Sequence, residues 1–183
     1  VRCLKEVGIC FCFAPKHHKS VAHAMPARRA LKTPTIFNLL GPLTNPCSAG
    51  RQLLGVWDDV YVEPMAEALL SGGTTFSAVV HSLDGLDEIS ISAPTRILYI
   101  KGGAITEGLI DPESLGLCLW GRDEVTATTL DMAVEFIQES IVPGGRGGRR
   151  DMVVLNSGVG LFVAGRVGSV RGGVELANKM IDS

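Results

Sequence analysis

The 183-residue sequence predicts an α/β fold, in which helices pack against a sheet. Two observations carry this prediction. Short β-branched runs such as TTFSAVVH alternate with segments of helical periodicity such as VEPMAEALLSGG. Glycine and proline separate these segments where turns are required. The alternation is typical of strands connected through helices, and the length suits one domain, which we take to be 1–183.

The individual elements follow from local patterns. We expect strands at VGICFCFAP (7–15), RQLLGVW (51–57), TTFSAVVH (74–81) and TRILYI (95–100). We expect helices in MPARRALK (25–32), TPTIFNLLG (33–41), VEPMAEALLS (62–71), 130–141, DMVVLNSGVGLFVAG (151–165) and VELANKMID (174–182).

Particular residues shape three of these helices. Thr33 suits the cap of its helix, and Gly41 suits the position that ends it. Across 130–141, apolar residues recur at helical spacing, which is typical of one face turned toward a core. Gly158 and Gly160 would permit close packing of the helix that contains them.

Composition restricts the partners. The formal net charge of −2 gives no overall positive charge that would attract phosphate, so we expect no nucleic-acid partner. Apolar stretches stay well below the roughly 20 residues that cross a bilayer, so we expect no membrane partner. Five cysteines are an odd number without a paired framework, which favours a reduced, cytoplasmic setting.

The segment DGLDEIS (84–90) follows directly after an apolar strand. His81, Asp84, Asp87 and Glu88 would therefore lie at the carboxyl end of that strand, where ligands collect in α/β sheets. Adjacent carboxylates suit Mg²⁺, which takes one or two of them together with substrate phosphate. Asp84-Gly85 is equally an ordinary turn dipeptide, so spacing alone leaves a solvated turn and a metal site open.

A basic, histidine-rich segment, APKHHKSVAHAMPARRALK, precedes the strands. An exposed basic face is one interpretation of it. Alternatively, Arg28 in the first turn of a helix could grip a carboxylate through two hydrogen bonds. A zinc site of Cys10, Cys12, His17 and His18 is a third interpretation, although their spacing matches no standard finger.

Five segments together resemble anthranilate phosphoribosyltransferases: FAPKHHKSVAHAMPARRAL, TIFNLLGPLTNP, QLLGVW, VVHSLDGLDEIS and IDPESLGL. GPLTNP and DGLDEIS, in this order and about 40 residues apart, carry most of the resemblance, which runs from about Gly8 to Ile181. It implies a catalytic domain of the nucleoside phosphorylase/phosphoribosyltransferase type, with a central, mostly parallel sheet flanked by helices. Because members of the family are about twice as long, it implies a fragment, the C-terminal portion of the large α/β domain without the N-terminal helical domain.

The resemblance also implies a reaction. The amine of anthranilate would attack C1 of phosphoribosyl pyrophosphate, giving N-(5-phosphoribosyl)anthranilate and pyrophosphate in tryptophan biosynthesis. The family's metal-binding acidic pair falls on Asp87 and Glu88, which favours the Mg²⁺ interpretation of that cluster. Mg²⁺ would neutralise the leaving pyrophosphate. No covalent intermediate is required, and no catalytic base is assigned.

Anthranilate contacts of the family fall on His18, Arg28, Gly41 and Pro42. Arg28 would orient the carboxylate, His18 would line the entry path, and the Gly41-Pro42 pair would shape a flat slot for the ring. The upstream half of such enzymes supplies most phosphate contacts, so we expect 1–183 alone to be inactive. The resemblance implies a homodimer for the full-length form.

Two alternatives remain at this point. One is a pyrimidine nucleoside phosphorylase-like enzyme, because that family shares the fold. The other is a non-catalytic relative that binds nucleic acid through Arg146, Arg149 and Arg150.

Overall fold

A computed structural model describes residues 2–11, 36–45 and 48–183. The chain divides into two compact units, 1–49 and 50–183, and each is described by itself. His18, Arg28 and the helix predicted at 25–32 lie outside the described residues.

The described part of the first unit contains helix α1 at Arg2–Glu6 and helix α2 at Ile36–Leu43. The strand predicted at 7–15 is wrong where it is described, since 7–11 is irregular and Phe11 is 87% exposed. Apolar residues form a strand only when a neighbouring strand pairs with them, and no described strand pairs with this segment.

Helix α2 does not end at Gly41 as predicted. It continues through Gly41 and Pro42 to Leu43. Gly41 lacks the positive φ of a helix-ending glycine, and backbone hydrogen bonding of the helical kind continues to Thr44. The Thr44 N–H donates to the Leu40 carbonyl at 3.0 Å, and its hydroxyl donates to the same oxygen at 2.7 Å.

The second unit is built on a four-stranded sheet in the order β1-β2-β3-β4. The strands are β1 (Arg51–Gly55), β2 (Phe76–Ser82), β3 (Thr95–Lys101) and β4 (Ala104–Ile110). Helix α3 (Val62–Ser71) connects β1 to β2, which run parallel with Gly55 opposite Val80. The strands predicted at 51–57, 74–81 and 95–100 are thus confirmed.

The α/β class is confirmed. The prediction of a mostly parallel sheet is wrong for the described strands. Both β2–β3 and β3–β4 are antiparallel pairs. A parallel neighbour requires a crossover of a dozen or more residues, usually helical, whereas 83–94 reverses direction without a helix.

Strand β4 was not predicted, although the sequence carries its signal. Gly102 and Gly103 connect β3 to β4, and their φ angles of 60° and 81° suit the two-residue turn of a tight hairpin. Most residues of β4 are exposed, so the apolar pattern that identified the other strands is weak there.

The sheet is covered on both faces. Ala78, Val79 and Val80 are successive residues of β2 that point alternately to opposite sides, and all are at most 1% exposed. Helix α3 contacts β2 and β3, and helix α5 (Gly148–Val163) contacts β1 and β2. Leu155 of α5 belongs to the same buried cluster as Ala78.

Helix α4 (Leu130–Ser140) is confirmed, and the Thr129 hydroxyl caps it by accepting the Met132 N–H at 3.2 Å. Its apolar face is exposed rather than buried, with Leu130 80% and Ile137 64% exposed. Among the described helices, none is long and apolar enough to cross a membrane.

Helix α5 packs against helix α6 (Val170–Ile181). A Cβ on Gly158 would lie 2.6 Å from the Val174 nitrogen, so the predicted role of Gly158 in close packing is confirmed. The same prediction for Gly160 is wrong, because no atom lies within 4 Å of a Cβ placed there.

Candidate active site

The acidic pair lies where β2 ends. Strand β2 is almost fully buried up to Ser82, and Asp87 and Glu88 follow in an exposed bend. Because β1 and β2 are parallel, both strands deliver their carboxyl ends to this edge of the sheet. The position is the one at which open α/β sheets bind their ligands.

His81 lies at the same end of β2. Its Nδ1 donates to the Val56 carbonyl oxygen at 2.8 Å, just beyond the end of β1. A carbonyl oxygen only accepts, so Nδ1 carries a proton and the ring orientation is fixed. His81 therefore connects the ends of the two parallel strands.

Asp84 organises the turn that leads to the acidic pair. Its carboxylate accepts the Leu86 N–H at 3.3 Å and the Ser90 hydroxyl at 2.7 Å. Burial of the carboxyl opposes its charge, but hydrogen bonds from Ser82, Ser90 and Leu86 outweigh burial and lower the pKa of Asp84. Asp84 thus has a structural role in the turn.

Asp87 and Glu88 have a different environment. Neither side chain accepts a hydrogen bond from the described residues. Glu88 keeps an exposed surface, yet neighbouring protein atoms desolvate its carboxyl and raise its pKa, and the negative charge of Asp87 raises it further. A cation bound at the pair would relieve this repulsion.

Asp87 and Glu88 supply carboxylate oxygens, the type of ligand that Mg²⁺ takes. Within the described ranges, no three histidine, cysteine or acidic side chains come close enough to hold an ion by themselves. Two adjacent carboxylates that leave other positions to water and phosphate match the way Mg²⁺ is usually bound.

Two of the four predicted anthranilate residues are described. Gly41 and Pro42 lie in the last turn of α2, half-buried, within the first unit. His18 and Arg28 lie outside the described residues, as do three of the four residues of the zinc interpretation, Cys12, His17 and His18. The assignments of these residues stay predictions.

The arginines of the nucleic-acid alternative are largely used within the fold. Arg150 is 4% exposed and donates to Asp182 at 2.7 Å. Arg149 pairs with Glu139, whereas Arg146 has no carboxylate partner among the described ion pairs. Since two of the three guanidinium groups already have carboxylate partners, the structure gives this alternative no support.

A model of the glycosyl transferase family, a/b domain, matches residues 1–183. The chain belongs to this family. Two curated members share the name anthranilate phosphoribosyltransferase. The one from Symbiobacterium thermophilum is 45% identical over 182 residues, and the one from Rubrobacter xylanophilus is 42% identical over 182 residues. Each alignment covers 100% of this chain and 53% of the relative, so the chain spans about half the length of these relatives.

Solved structures of this family share the fold. The crystal structure of anthranilate phosphoribosyltransferase from Thermus thermophilus has a TM-score of 0.89 at 32% identity, covering 100% of this chain and 54% of that chain. The Saccharomyces cerevisiae enzyme in complex with PRPP and Mg has a TM-score of 0.78 at 23% identity, covering 90% and 47%. The yeast enzyme in complex with 4-fluoroanthranilate has a TM-score of 0.82 at 22% identity, covering 94% and 50%.

Proposed function

We propose that residues 1–183 act as a portion of a longer anthranilate phosphoribosyltransferase. The reaction is transfer of the phosphoribosyl group from phosphoribosyl pyrophosphate to the amine of anthranilate, in tryptophan biosynthesis. One observation carries the proposal: an exposed acidic pair without hydrogen-bond partners from the described residues follows β2. The names of the relatives and of the Thermus structure support it.

In this proposal Asp87 and Glu88 hold Mg²⁺ together with oxygens of phosphoribosyl pyrophosphate. The ion would supply positive charge against the leaving pyrophosphate. The chain's own contribution would be to place two carboxylates at the end of the sheet. Asp84 and His81 support this by fixing the turn and the strand ends. Positioning and electrostatics are sufficient, because the aromatic amine is already a nucleophile.

The same proposal assigns the anthranilate site to His18, Arg28, Gly41 and Pro42. Arg28 would hold the carboxylate through paired hydrogen bonds, His18 would line the entry path, and the α2 pair would contact the ring. We further propose that the full-length enzyme is a homodimer in the cytoplasm.

A chimera tests the proposed reaction. Residues 1–183 replace the matching segment of the Symbiobacterium relative, and consumption of anthranilate is followed by its fluorescence with phosphoribosyl pyrophosphate and Mg²⁺. We expect turnover that requires all three components. A folded chimera without turnover would contradict the proposal. Phosphorolysis of a pyrimidine nucleoside in its place would favour the nucleoside phosphorylase alternative.

Arg28 is tested in the same chimera. Arg28→Ala is expected to raise the KM for anthranilate by about tenfold or more, because a charged, paired hydrogen bond contributes about 1.5–3 kcal/mol. The KM for phosphoribosyl pyrophosphate should change far less. Arg29→Ala, one residue along the same segment, is the control. Equal effects of Arg28→Ala on both KM values would remove this assignment.

A further inference from the structure

Asn156 of α5 binds the backbone next to the acidic pair. Its Oδ1 accepts the Ile89 N–H at 3.1 Å, and its Nδ2 donates to the Ile89 carbonyl at 2.8 Å. One side chain thus satisfies both backbone groups of the residue that follows Glu88. Nδ2 also donates to the Met152 carbonyl of its own helix at 3.0 Å, which fixes the orientation of the amide.

Ile89 is anchored on the same side. It is 0% exposed and belongs to the buried cluster that contains Leu155 of α5. The backbone immediately after Glu88 is therefore fixed to α5 by two hydrogen bonds and by a buried side chain.

Gly55 contacts the other half of the pair. A Cβ placed on Gly55, the last residue of β1, would lie 1.6 Å from the Asp87 carbonyl oxygen and 2.5 Å from its carbonyl carbon. Those distances leave no room for any side chain other than hydrogen. The peptide that joins Asp87 to Glu88 therefore rests directly against the end of β1.

We propose that Asn156 and Gly55 are positioning residues for metal binding, because they hold the Asp87–Glu88 backbone between α5 and β1. The inference rests on the proposed function, since it takes these two carboxylates to be the metal ligands. Because no described residue donates a hydrogen bond to either carboxylate, the placement of the two side chains depends on how the backbone is held. Replacing a group that orients a metal ligand, without binding the metal itself, commonly lowers metal affinity roughly 10- to 100-fold.

The test measures binding of Mn²⁺ to the 183-residue chain, alone and with inorganic pyrophosphate, from the electron paramagnetic resonance signal of free Mn²⁺. Asn156→Leu keeps the branched shape of the side chain and Asn156→Ala truncates it, but both lose the bonds to Ile89. Gly55→Ala pushes on the Asp87 carbonyl. Asn178→Leu is the matched control, because Asn178 binds Arg150 through its side chain, away from the acidic pair. Thermal unfolding identifies the temperature at which all variants are folded.

We expect Asp87→Asn/Glu88→Gln to abolish the bound fraction. We expect Asn156→Leu, Asn156→Ala and Gly55→Ala each to raise the Kd for Mn²⁺ by about tenfold, while Asn178→Leu leaves it within about twofold. Unchanged Kd values in both Asn156 variants, with binding still lost in the double variant, would overturn the positioning role but not the proposed metal site. If wild-type binding is absent, or survives in the double variant, the metal assignment of the proposed function fails and the inference fails with it.

Discussion

At the scale of single residues, the three carboxylates of DGLDEIS have two different roles. Asp84 is held by hydrogen bonds that stabilise its charge. Asp87 and Glu88 have none from the described residues, and the pKa of Glu88 is raised. Residues of the same chemical type, a few positions apart, thus have different surroundings: Asp84 is hydrogen-bonded within the turn, and Asp87 and Glu88 are the pair for which we propose metal binding.

Asp84→Asn should lower the free energy of unfolding by about 1–2 kcal/mol at pH 7, because the charged hydrogen bonds are lost. The lowered pKa of Asp84 means that the unfolded chain takes up its proton first as the pH falls. The wild type should therefore keep its advantage above the ordinary value of 3.8 and lose it below, as the pH passes the folded pKa. Urea unfolding at several pH values measures this.

The control is Glu175→Gln, because Glu175 is exposed on α6 and should leave stability unchanged at each pH. A difference between Asp84→Asn and the wild type that stays constant from pH 7 to well below pH 4 would contradict the account of Asp84.

The sequence located the acidic pair but not the residues that support it. A β-branched run followed by DGLDEIS predicts carboxylates at the end of a strand, and the structure places them there. Asn156 is 67 positions from Ile89, and an asparagine within a helix has no local signal that identifies its partner. The contact of Gly55 with Asp87 also has no local signal, because the two residues are distant in sequence.

At the scale of elements, the contact between α5 and α6 depends on glycine. Gly158→Ala should destabilise the protein by about 1–3 kcal/mol, because its Cβ would meet the backbone of α6. Gly160→Ala, two positions along the same helix, should stabilise it by about 0.5–1 kcal/mol, because the added methyl meets no atom and alanine favours the helix. Urea unfolding of both variants measures the difference. Equal stabilisation by both would mean that α5 and α6 are further apart than described.

Strands and helices with a strong apolar pattern were predictable from the sequence. Segments whose structure depends on pairing or contact with another part of the chain were not. A continuous run of apolar and β-branched residues predicted β2, and apolar residues at helical spacing predicted α4. Helix α2 continues through Gly41, because Gly41 does not adopt the positive φ on which its predicted end depended. The irregular segment at 7–11 has the composition of a strand, but pairing decides whether a strand forms.

At the scale of the whole molecule, the chain spans about half the length of the relatives it matches. We predict that the 183-residue polypeptide alone has no measurable phosphoribosyl transfer, whereas the chimera described above has. The physical reason is that, in the proposed function, the acidic pair would hold the metal side of the substrate but not its ribose phosphate. The double variant Asp87→Asn/Glu88→Gln serves as the negative control. Turnover by the isolated polypeptide above that of the control would contradict this prediction.

The most direct test of metal binding by Asp87 and Glu88 is the Mg²⁺ requirement of the chimera. Initial rates at saturating anthranilate and phosphoribosyl pyrophosphate are measured against Mg²⁺ concentration for the wild type, Asp87→Asn, Glu88→Gln and the exposed control Glu175→Gln. We predict that the two site variants need about tenfold more Mg²⁺ or more for half-maximal rate, while the control matches the wild type. An unchanged Mg²⁺ requirement in both site variants would contradict it.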